Sequence, residues 1–182
     1  MDMLLAFAPF LAFALLERSM GAHMALVAAT VVAALLVVRD KVIRHRSLKL
    51  LEVGSAVLFG GLALASRLPQ FNLSVVGVRL CVDTGLLAVI LLSLMIGKPF
   101  TMQYAAERVS PEIAASPRFR TLNVTLSAVW ALVFVAIVAA DVAMLYLAGF
   151  TPLVGTIVIL AALGGGVLVS AWLPKRAARN LA

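Results

Sequence analysis

The chain holds one cysteine, Cys81, so it forms no internal disulfide and no cysteine-based metal site. Charge is scarce too. Asp, Glu, Lys and Arg make up 13% of the 182 residues, about half the ~25% of a soluble domain. A disordered chain would need much more charge and much less apolar content. The sequence has no H-E-x-x-H, no G-x-S-x-G, no paired His/Asp metal spacing and no nucleotide fingerprint. The Gly164-Gly165-Gly166 run lacks the Gly-Lys-Ser/Thr ending of a phosphate loop. No catalytic residue, metal site or cofactor site is named on these grounds, and the expectation is a protein that is not an enzyme.

What the chain does have is apolar sequence. Hydrophobic residues account for 64%, and the 12 glycines bring this to about 71%, against ~45–50% in an ordinary soluble domain. A soluble domain of this size cannot cover so much apolar surface. The expected fold class is all-α: a polytopic transmembrane helical bundle forming one domain over residues 1–182. The net charge of +7 invites a nucleic-acid reading. Its distribution opposes that reading, because the cations lie in short patches between apolar runs, where membrane topology places them.

Apolar runs cover residues 3–16, 23–38, 50–68, 73–96, 122–148 and 153–173. A helix needs ~20 residues to cross a bilayer core, so the pattern predicts five to six spans. The run 3–16 is the short one, and it either crosses a thinned membrane or lies in the interface. Asp2 stands where a signal peptide carries cations, and no small-residue cleavage site follows, so this run is expected to be retained. Arg39, Lys41, Arg44, Arg46 and Lys49 follow the second run. Lys98, Arg108, Arg118 and Arg120 follow the fourth, and Lys175, Arg176 and Arg179 close the chain. Only Arg18 and Arg67 fall opposite, with Arg79 just inside the fourth run. The bias places those basic segments and the C-terminus in the cytoplasm. It also puts His23 and His45 on opposite sides, unable to share a ligand.

The connector 97–121 reads as more than a turn. Pro99 opens a stretch whose Phe100, Tyr104 and Val109 suit an interfacial helix dipping into headgroups. Ser110-Pro111-Glu112 and Ser116-Pro117 each read as an N-cap followed by proline at the first helical position. An offset of 71 sets Lys49-Leu50-Leu51-Glu52-Val53 over Arg120-Thr121-Leu122-Asn123-Val124, and Phe59 over Trp130. That register suggests a parallel repeat of two hairpins, an arrangement found in some transporters.

Ionisable residues inside apolar runs are the first candidates for function. At 1.5 Å per residue, Arg67, Arg79 and Asp141 come out about 27–28 Å from the cytoplasmic boundary, near the outer edge of a ~30 Å core. Asp83 lies one turn deeper on the face of Arg79. Glu17, Arg18 and His23 join from the first loop, and Glu17, Asp83 and Asp141 balance Arg18, Arg67 and Arg79. The candidate polar layer is Glu17, Arg67, Arg79, Asp83 and Asp141. Small residues at steps of four mark candidate helix-packing faces: Ala56 and Gly60 in one run, Ala162, Gly166 and Ser170 in another. Packing inside one subunit and homodimerisation are both open uses of these faces.

Phe7-x-Pro9-x-x-x-Phe13, Lys98-Pro99, Leu122-Asn123 and Trp130-Ala131-Leu132-x-Phe134 together resemble the bacterial inner-membrane septation protein A family. Asp141 stands eleven positions after Trp130, where that family typically has Asn. The Asn123-to-Trp130 spacing is about one turn longer than the family's, and residues 103–117 differ from it. The resemblance implies a multi-pass protein of the bacterial inner membrane tied to envelope upkeep and septation or elongation. It implies membrane-protein partners and no catalytic site. The rival reading is a small transporter or channel whose substrate meets the outer polar layer.

Overall fold

The computed structural model describes residues 5–43, 45, 47–68 and 73–179, with side chains through residue 176. Every regular element among them is helical. In order these are α1 (Ala8–Met20), α2 (Ala22–Val38) continued by a π turn (Arg39–Ile43), α3 (Leu50–Ala65) and α4 (Val75–Met95). Then come α5 (Phe100–Ala105), a 3-10 turn (Ala106–Arg108), α6 (Pro111–Ala114), α7 (Pro117–Tyr146) and α8 (Pro152–Arg179).

Four stretches are long and apolar enough to cross a membrane: Ala22–Ile43, Val75–Met95, Pro117–Tyr146 and Pro152–Arg176. The apolar α3 has 16 residues and α1 has 13, both below the usual crossing length. Leu35, Leu132 and Leu168 are 62%, 69% and 71% exposed. Apolar surface left open on this scale suits lipid as the surrounding solvent, as expected of a multi-pass membrane protein.

The chain forms two compact units, Met1–Val89 and Ile90–Ala182. In the first, α1 ends at Gly21, whose φ of 80° and ψ of 160° suit a residue without a Cβ. Its N–H bonds Glu17 O at 3.1 Å, and α2 begins at the next residue. The buried face of α2 is Ala25, Leu26, Ala29 and Ala33, and such small side chains let neighbouring helices approach. Phe13, Phe59, Ala63, Val78 and Val82 complete this core. Phe10 meets Phe59 edge-on, with ring centroids 4.9 Å apart.

The α3–α4 contact is built on two glycines that face each other's neighbours. A Cβ on Gly54 would lie 2.7 Å from Val89 Cγ2, and one on Gly85 would overlap the Leu58 side chain. Gly54 and Leu58 are one turn apart on α3, as are Gly85 and Val89 on α4, so each large side chain fills the notch the opposite glycine leaves. Gly60, singled out by its spacing, faces α2 instead: its Cβ would stand 3.7 Å from Thr30 Cγ2. Ala56 is half-buried.

In the second unit the chain turns at Gly97 (φ 70°) and enters α5 through Pro99. The connector departs from the interfacial helix expected of it. The helix covers only Phe100–Ala105, and Phe100 (0% exposed) and Tyr104 (3%) are buried rather than open to headgroups. Hydrogen bonds from Thr101 to α7 hold α5 against the protein. Ser110 and Ser116 do stand at the N-caps of α6 and α7, each followed by proline. Ser116 Oγ accepts from Phe119 N at 3.2 Å. Hydrogen bonds from the Ser110 side chain and from Glu112's own backbone hold the exposed Glu112 carboxyl below its ordinary value. With 30 residues, α7 is about 45 Å long, longer than a ~30 Å core.

Candidate functional site

The polar layer read from the sequence is assembled in part. Glu17, near the end of α1, is 7% exposed, and its Oε1 accepts from an Arg79 terminal nitrogen at 2.8 Å. Arg79 keeps 30% of its side chain exposed. The other Glu17 oxygen, Oε2, is buried and accepts no hydrogen bond. His23, at the start of α2, has Nδ1 2.7 Å from Ser66 Oγ, just past α3. Because the Ser66 hydroxyl donates to Ala63 O at 2.8 Å, the imidazole N–H is the donor in that pair. Asp83 is half-buried one turn along α4, while Arg67 and Arg18 are exposed. Asp141 is fully buried on α7 in the second unit.

A second charged cluster lies in the segment 39–49, whose cations the sequence uses only to orient the chain. Lys49 is 1% exposed, Asp40 0% and Glu52 3%. Lys49 Nζ donates to Asp40 Oδ2 at 2.7 Å and lies 3.6 Å from Glu52 Oε1. Asp40 Oδ1 accepts from Arg39 Nε at 2.8 Å, with an Arg39 terminal nitrogen also at 2.8 Å. Two cations and two anions thus cancel within one buried knot joining the end of α2 to the start of α3. The clue was periodicity. Asp40 lies seven residues after Ala33 on the buried stripe of α2, and Glu52 lies one turn before Ser55 on that of α3.

The second unit has a neutral counterpart. Thr101 Oγ1 donates to Asn123 O at 2.9 Å and lies 2.9 Å from Ser127 Oγ. With its proton committed, Thr101 must accept from Ser127. Ser127 Oγ in turn accepts from Thr101 N at 3.4 Å. Asn123 Nδ2 donates to Phe119 O at 2.8 Å. The Ser93 hydroxyl donates to Ile90 O at 2.6 Å and accepts from Phe100 N at 3.2 Å. These bonds fasten α5 between the end of α4 and the first turns of α7.

Of the small residues on α8, Gly166 and Ser170 meet α7. A Cβ on Gly166 would lie 2.9 Å from Val133 Cγ2 and 3.6 Å from the Trp130 ring. Trp130 Nε1 donates to Ser170 Oγ at 3.0 Å. Ala162 is half-buried. Much of this face therefore serves packing within the subunit. Ser170→Ala removes the acceptor of Trp130 Nε1 and is expected to cost about 0.5–1.5 kcal/mol, measurable as a lowered melting temperature in detergent.

Chemically, the arrangement holds charges and hydroxyls in fixed pairs. Among the described residues no group of three or more His, Cys, Asp or Glu side chains is placed to hold a metal ion. No family model, curated protein or solved structure matches the chain.

Proposed function

We propose that the chain is a non-enzymatic protein of the bacterial inner membrane that supports envelope maintenance and septation or elongation by associating with other membrane proteins. The observation that carries this reading is the use made of its polar side chains. Glu17 with Arg79, Asp40 with Lys49, Thr101 with Ser127 and Trp130 with Ser170 are engaged with one another. Large apolar side chains on α2, α7 and α8 remain open for lipid or for partner helices. On this reading α1 and α3 also cross, by tilting or by thinning the bilayer around them, which gives six spans with both chain ends in the cytoplasm. The motif resemblance supplies the envelope and septation role.

One helix pair lends support to the repeat register. The offset of 71 carries the buried residues Glu52, Ser55, Phe59 and Ala63 of α3 onto Asn123, Leu126, Trp130 and Phe134 of α7, all buried. The same offset carries α2 onto residues 93–109, where the chain leaves α4 and forms α5. A shared stripe on one helix supports a duplicated helix more than a duplicated hairpin.

Two measurements test the proposal. Reporter tags at Arg44 and at the carboxyl end are both expected to report from the cytoplasm. Purification of the intact chain from membranes is expected to enrich envelope-synthesis or division proteins over a control polytopic protein of equal abundance. Equal recovery in both samples removes the partner reading. The transporter reading draws on the outer pair, where a buried carboxylate oxygen without a hydrogen bond adjoins a part-exposed arginine. If Glu17→Gln and Asp141→Asn leave both folding and cellular phenotype unchanged, that reading loses its support.

A further inference from the structure

The least covered of the long helices is α8, with 11% of its most apolar stretch buried against 39% for α7. Its last turns carry a different chemistry. Trp172 is 52% exposed, and the Arg176 guanidinium carbon sits 4.8 Å from the centre of its ring. The two are one turn apart, so the helix itself holds the stack. A guanidinium lying on an aromatic ring keeps its in-plane N–H donors free, and these fit two oxygens of one phosphate. Among the described residues, no carboxylate lies within ion-pair distance of Arg176.

The surroundings have the same sign. The antiparallel register fixed by Trp130 with Ser170, and by Met144 against Gly155, places Trp172 and Arg176 at the end of the hairpin where α7 begins. Arg120 belongs to that end, and its guanidinium lies over Gly97, 3.4 Å from where a Cβ would be, beside Lys98. Lys98, Arg120, Lys175 and Arg176 are all exposed. Glu107 and Glu112, both exposed on the connector between α5 and α7, are the nearby acids in sequence. An exposed indole at the end of an apolar span marks the membrane boundary, which is the level of lipid phosphates.

We propose that this end of the α7/α8 hairpin is a binding site for the headgroup of an anionic phospholipid, with Arg176 holding the phosphate, Trp172 as its platform and Lys175 adding charge. The site depends on the chain spanning a membrane and is independent of any septation role.

The test reconstitutes the full chain in vesicles of equimolar phosphatidylcholine and phosphatidylglycerol, with bromine on the tails of one lipid or the other. Bromine quenches nearby indole fluorescence. Trp130 is 6% exposed, and a Trp172→Phe control isolates the signal of Trp172. Brominated phosphatidylglycerol is expected to quench Trp172 more, with about a fivefold local preference, the equivalent of ~1 kcal/mol for one cation at the surface. Arg176→Gln together with Lys175→Gln should equalise the two lipids, and added salt should narrow the difference. Equal quenching by both lipids in the unaltered chain overturns the proposal, as does a preference that survives the double substitution. Quenching by neither lipid would instead overturn the membrane reading itself.

Discussion

Lys49→Met is expected to destabilise the first unit by about 3–5 kcal/mol, the cost of leaving buried charge without its counterion. Asp40 and Glu52 flank the lysine and are themselves shielded from water. Methionine nearly matches lysine in volume, so the loss is one of charge rather than of packing. The measurement is the unfolding midpoint of the purified protein in a fixed detergent, with folded yield in membranes as a second readout. Lys41→Met is the control. Lys41 is exposed on the π turn, so its loss subtracts the same topological charge from the same segment. If both variants melt alike, the buried knot contributes nothing beyond its sign. Adding Asp40→Asn to Lys49→Met should recover part of the loss, because a neutral amide costs less to bury than an unpaired carboxylate.

Gly54→Leu is the second large effect. The first carbon of any side chain there would meet both γ-carbons of Val89, at 2.7 and 2.9 Å. Valine has one strongly preferred rotamer in a helix and cannot swing aside, so α3 and α4 must separate. Overpacking of this kind costs about 1–3 kcal/mol for small additions, and leucine should reach or exceed the upper end. Gly54→Ala should fall lower, since alanine regains up to about 1 kcal/mol of helix propensity. Val89→Ala is expected to restore much of the stability of Gly54→Ala, a non-additivity that a double-mutant cycle reads directly. Gly61→Ala, on the same helix with nothing near its Cβ, should be neutral or stabilising. Equal losses at Gly54 and Gly61 would sink the notch account.

Glycine spacing along one helix marks some packing positions and misses others. Steps of four point to Gly60 and Gly166; a Cβ on Gly60 would make only ordinary contact with Thr30 of α2, whereas one on Gly166 would crowd Val133 of α7. They passed over Gly54 and Gly85, which belong to a reciprocal pair rather than to a single stripe. A reciprocal notch is defined by two helices together: Gly54 matters because Val89 stands opposite. Similarly, Arg79 is a candidate from its depth and Glu17 from its place at the first loop, yet only the packing of α1 near α4 makes them a pair. Asp141 shares the estimated depth of Arg79 and lies in the other unit. The aromatic face of α5 suits a membrane surface by sequence, because a short run with Phe100 and Tyr104 looks the same whether lipid or α7 covers it.

From its residues alone the chain declared an all-helical character, its long apolar segments and the serine–proline starts of α6 and α7. Those features depend on local composition, since solvent partitioning and helix capping act within a few residues. The tertiary structure alone decided that Lys49 is buried between two carboxylates rather than dissolved in a basic turn. It also decided that Gly166 and Ser170 are used by α7, and that the connector turns inward. Each of these depends on which face of one helix meets which face of another, and a charge or a methyl group carries no record of its partner until the helices pack.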